Sequence, residues 1–182
     1  MQTRRLGWAG LWGIAGVVAL LGQAIWRLAP IALDSIARGW TSVETVVAVA
    51  WIAIAAYAEG YRGFQRQFSP RVVVRACHLT AHPRPLFVAL APLYCMGLIH
   101  ATRRRLVTSW TLTASITALV LLVRYLGRWR GIIDAGVVIG LGWGVGAILY
   151  YVGVVMAGRP LAVPPDVPVD PAEPTTRAGD NA

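Results

Sequence analysis

Along this chain, long hydrophobic segments alternate with short connectors that carry arginine. The runs cover about residues 6–28, 43–60, 85–102, 106–126 and 131–157. Each is too long for a lipid-facing strand of about ten residues. A helix of about twenty residues, rising about 1.5 Å per residue, crosses a hydrocarbon layer of about 30 Å. Backbone amides in lipid must be satisfied within their own segment, so all five runs are expected as helices. The expected fold is an all-α integral membrane protein, a compact bundle of five hydrophobic helical segments in one domain over residues 1–158. Four of the segments are clearly transmembrane by length and composition.

Aromatic residues mark the segment ends. Trp8 and Trp26 are 18 residues apart, about 27 Å along a helix, which places them at opposite interfaces. Trp110 and Trp129 flank the fourth segment in the same way, and Trp40 and Tyr61 bracket the second. Thr41-Ser42-Val43-Glu44 reads as a capping box at the start of the second helix, with Thr41 as N-cap and Glu44 at N3.

The third segment admits two courses. Its strongly apolar part, Leu86–Ile99, is 14 residues with Pro92 inside, a length typical of re-entrant or interfacial segments. The uncharged stretch from Pro85 to Thr102 is 18 residues, just enough to cross. Five crossings with the N-terminus inside put 10 arginines on the cytoplasmic side and 7 outside, whereas a re-entrant third segment gives 12 and 5. The positive-inside bias favours re-entry, and the tight turn into segment four favours crossing. The first run is longer than the about 7–15 apolar residues of a cleavable leader, so it reads as a retained span with a cytoplasmic N-terminus.

Composition agrees with this pattern: 57% hydrophobic and 14% charged residues, against about 45–50% and about 25% in soluble domains. All 17 basic residues are arginine, and the formal net charge is +9. A GC-rich bacterial genome accounts for this usage, which makes the plasma (inner) membrane the expected location. Arginine stays charged, so none of these positions can serve as a tunable amine base or Schiff-base nucleophile. Cys77 and Cys95 are the only cysteines, which excludes a disulfide framework and a four-cysteine zinc site. Gly-x-Ser-x-Gly, His-Glu-x-x-His and P-loop sequences are absent. His78, His82 and His100 sit near segment ends, where the expected role is structural. No catalytic residue, metal or cofactor is expected.

The most distinctive polar stretch runs from Tyr57 to Arg71. It leads into a basic juxtamembrane linker, 61–84, with a short surface helix whose Arg62, Arg66, Arg71 and Arg75 are expected to face the phosphates of anionic lipids. Such contacts are worth about 1 kcal/mol per charge. Glu59 and Arg62 are three apart, within reach on one α-helical face. Asp134 opens the fifth helix four residues after Arg130, as an ion pair that fixes the hairpin. Ionisable groups inside membranes also mark candidate sites. On that reading Glu59, Arg62, Arg66, Asp134 and His100 converge between helices as a polar site.

Gly136, Gly140 and Gly144, at four-residue spacing, predict close helix packing, within the chain or against a second copy. Ser109, Thr113 and Thr117 share a face of the fourth helix as glue, bonding across helices or back to their own turn. Residues 159–182 hold six of the eleven prolines and alternate with acids, which predicts a disordered tail. The expected function is a non-enzymatic scaffold, assembly or lipid-associated factor. Its expected partners are anionic membrane lipids and a membrane protein or second copy, not nucleic acid. The alternative is a small transporter or membrane enzyme acting on an anionic amphiphile.

Overall fold

In a computed structural model, residues 6–123, 125–164 and 166–167 are described. Arg4, Arg5, Arg124 and the tail beyond 167 lie outside the described residues. Among those described, every regular element is helical. Helix α1 spans Trp8–Ala37 and α2 spans Ser42–Ala55. A π-helical stretch, Ala56–Phe68, leads from α2 into α3 (Ser69–Ala81) without a break. Two short helices follow, α4 (Pro85–Ala89) and α5 (Ala91–Met96). Helix α6 spans Arg103–Val123, and a 3-10 turn, Gly127–Trp129, opens α7 (Arg130–Met156). Three of these helices are long and apolar enough to cross a membrane: α1, the continuous Ser42–Ala81 helix of 40 residues, and Gly127–Met156.

Several expected boundaries move. Helix α1 continues past residue 28 and through Pro30, because Ala32 and Ser35 are buried and a Cβ at Gly131 of α7 would overlap Ser35. The second helix does not end at 60, so most of the expected linker is helix. The surface helix expected in that linker is the deeply buried α3. Val72, Val73, Val74, Ala76, Cys77 and Leu79 are all buried there, and Arg71, Arg75 and His78 form the polar strip of the same helix. Segment 85–102 is two short helices that change direction at Leu90 and end at Gly97, whose φ is +78°. Pro92, at the start of α5, has no N–H to extend α4.

The core lies where α1, α3, α5 and α7 meet, around Ile14, Val17, Val72, Val73, Leu79, Tyr94 and Ile148. Glycines set the helix spacing there. On α1, a Cβ at Gly10 would stand 2.6 Å from the Ala76 carbonyl oxygen, and one at Gly13 would stand 2.6 Å from Cys95 Sγ. Gly16 is covered by Pro92. Both cysteines are buried and unbridged.

At the opposite end the capping box is present in full: Glu44 N–H donates to Thr41 Oγ1 at 3.3 Å, and Thr41 N–H donates to Glu44 Oε2 at 2.9 Å. Arg128, on the turn before α7, also reaches Glu44 at 3.2 Å. The hydroxyls of Thr113 and Thr117 donate to carbonyls one turn back, Ser109 and Thr113, so they serve their own helix rather than bridging to another.

Candidate functional site

The π-helical stretch determines what faces α7. In this winding N–H groups bond five residues back, so side chains five apart come closer to a common face than in an α-helix. Glu59, Phe64 and Ser69 follow that spacing, and all three face α7. A Cβ at Gly140 would meet Glu59 Oε2 at 2.9 Å, and one at Gly144 would meet Phe64 Cδ1 at 2.6 Å. The Ser69 hydroxyl donates to the Gly144 carbonyl at 3.4 Å. One turn earlier, Gly136 is covered by Trp51, whose indole N–H donates to the Ile133 carbonyl at 3.3 Å. The three glycines of α7 therefore face the chain's own second helix.

The same winding separates the expected pair. Three residues cover a smaller arc in a π-helix than in an α-helix, so Arg62 faces outward while Glu59 faces Gly140. Among the described residues Glu59 has neither ion pair nor hydrogen bond. Asp134 is 6% exposed and pairs with Arg130 at 3.4 Å. It lies six residues from Gly140, about 9 Å along the axis. His100 is in the loop beyond α5, its ring tilted against Phe87 at 4.6 Å. Glu59, Arg62, Asp134 and His100 thus do not converge, and the polar site drawn from the sequence is not assembled.

A level through the bundle can be traced from the Gly131–Ser35 contact. Nine residues away from it α7 reaches Gly140 and antiparallel α1 reaches Trp26, so Trp26 and Arg27 are level with Glu59. Trp26 is 81% exposed. Tyr57, Tyr61 and Trp143 are exposed near the same level, as are Arg27, Arg62 and Arg66. Arg66 lies over the Tyr61 ring at 5.9 Å, and the Trp143 indole donates to Gln65 at 2.8 Å. These groups form a belt of guanidinium and aromatic side chains on an otherwise apolar surface.

Arg71 and Arg75 do not join that belt. Arg75, expected at the surface, is 1% exposed because its guanidinium satisfies backbone carbonyls that no helix can. It donates to Tyr94 O at 2.6 Å, Ile99 O at 3.0 Å, His100 O at 3.1 Å and Asp166 O at 3.4 Å, and it lies over the Tyr94 ring at 4.4 Å. Tyr94 O also accepts the Gly97 N–H at 3.0 Å, whereas Ile99 and His100 lie in the loop, where no helix supplies a donor, and the planar fork of arginine suits several acceptors at once. Around Tyr94 gather His78, whose Nδ1 is 2.9 Å from the phenol oxygen, and His100, stacked at 6.1 Å. No cluster of three or more metal-ligating side chains occurs among the described residues.

Sequence reasoning missed this hub, and it missed the α1 glycines. A signal for the glycines existed, since Gly7, Gly10, Gly13 and Gly16 recur every three residues. The chain matches no family model, no curated protein and no solved structure.

Proposed function

We propose that this chain is a polytopic membrane protein working as a non-enzymatic scaffold, assembly or lipid-associated factor, with Arg62 and Arg66 on the phosphates of anionic lipids. The belt carries this reading. Exposed tryptophan and tyrosine beside arginine is the side-chain combination that meets lipid head groups. The apolar outer faces support insertion: Trp8, Val43, Val46 and Ile54 are all exposed, a surface too greasy to leave in water.

Four crossings are favoured, with α4–α5 re-entrant. Segment 85–102 starts from the end of α3, dips to Gly13 and Gly16 of α1, and returns to Arg75 through Ile99 and His100. It therefore leaves and rejoins the same end of the bundle. With the N-terminus cytoplasmic, this course also keeps Arg103 and Arg104 on the cytoplasmic side.

The test is lipid retention. Arg62→Gln/Arg66→Gln purified from membranes should carry at least about fivefold less phosphatidylglycerol than the unmodified chain, from about 1 kcal/mol per charge. Unchanged retention would overturn the lipid contact, and a single cofactor bound at unit stoichiometry would overturn the non-enzymatic assignment.

A further inference from the structure

The start of the tail is not free. Leu161 and Val167 pack against the core, and between them Asp166 meets three donors. Its carbonyl accepts the Thr102 N–H at 3.0 Å and an Arg75 Nη1–H at 3.4 Å, and its carboxylate faces Arg71 Nε at 3.4 Å. Thr102 immediately precedes the 21 residues of α6, so its amide adds to the positive end of a helix dipole. Arg103 and Arg104 are exposed beside it.

The fit is imperfect. Asp166 has φ +49°, a left-handed conformation that costs a non-glycine residue free energy. The Arg71 Nε–H is buried and has no hydrogen-bond partner, despite the nearby carboxylate. A neutral peptide oxygen, not a charged one, takes the Thr102 and Arg75 donors, although an anionic acceptor there would pair with the guanidinium charge and strengthen the amide bond. The Arg71 and Asp166 side chains are 31% and 29% exposed, so the contact is open to competition.

We propose that Arg71, Arg75 and the Thr102 amide form an anion-accepting cleft that the chain's own Asp166 closes in cis, and that a phosphate-bearing ligand displaces the strap. A phosphate brings charged oxygens to all three donors without the left-handed residue. The cleft is separate from the Arg62–Arg66 belt, so it does not rest on the lipid contact proposed above.

Hydrogen exchange on the full chain in detergent reads both states. Inorganic phosphate should raise exchange in the peptide covering 159–167 while the amide of Thr102 stays protected. Asp166→Asn should bring the phosphate midpoint down about three- to fivefold, the range expected for losing a part-exposed ion pair. Arg71→Gln should abolish the response, and Arg62→Gln/Arg66→Gln should leave it unchanged. Phosphatidylglycerol vesicles compared with phosphatidylcholine vesicles identify the source. Release by inorganic phosphate supports a free anion as ligand, and release by phosphatidylglycerol alone supports a lipid head group. The proposal is overturned if neither frees the tail in the unmodified chain or in Asp166→Asn, or if Arg71→Gln responds equally.

Discussion

At Gly10 the closest neighbour of an added methyl is a backbone oxygen, Ala76 O, which cannot rotate away. Gly10→Ala should therefore force α1 and α3 apart and destabilise the fold by about 1–3 kcal/mol. Gly142 has nothing within 4 Å, and Gly142→Ala should be neutral or stabilising by up to about 1 kcal/mol through helix propensity. Thermal unfolding of the two variants in the same detergent checks the contrast; equal shifts would mean that α1 is not seated on α3 as described. Arg75 is the other single residue on which much depends. Arg75→Lys keeps the charge but replaces a planar fork with a point donor. It should lose about 1–3 kcal/mol for each buried carbonyl left without a donor. The measurement is the yield of monodisperse protein, and a yield equal to that of the unmodified chain would contradict the hub. The burial of Arg75 was not legible in the sequence, because its partners are carbonyls of a loop whose course only the assembled fold defines.

At the scale of elements, hydrophobic length announced an all-helical chain with long apolar helices, and Thr41 with Glu44 located one helix start. It failed where winding or a tertiary contact decides the outcome. The run 43–60 ends in sequence near Glu59, where charges begin, yet the helix continues because the Val72–Leu79 face finds α1, α5 and α7 to pack against. Glu59 with Arg62 read as an α-helical i, i+3 pair, but nothing in local composition announces five-residue winding, and that winding parts them. The three α7 glycines were legible as a packing seam from their spacing alone. Their partner was not, because close approach looks the same from either helix. The consequence is testable on the two acids. Glu59→Gln removes no partner and should leave stability within about 0.5 kcal/mol. Asp134→Asn leaves Arg130 without its buried carboxylate and should cost more, about 1–3 kcal/mol. Denaturation of both variants side by side decides it, and a larger loss at Glu59 would show that the acid has a structural partner.

For the whole molecule, the account rests on lipid as the medium around α1, the Ser42–Ala81 helix and α7. The two ends of the bundle differ: one is closed by the Glu44–Arg128 and Arg130–Asp134 pairs, the other by the Arg75 hub and the tail's Asp166. Between them the outer faces present tryptophan, valine, leucine and isoleucine, and the belt of Arg27, Arg62 and Arg66 interrupts them at one level. The most direct test is alkaline carbonate extraction of membranes from cells expressing the untagged chain, followed by size analysis with and without detergent. The chain should stay in the membrane pellet, and detergent should be needed to bring it into solution as one species. Recovery in the carbonate supernatant as a monodisperse, detergent-free protein would contradict the account.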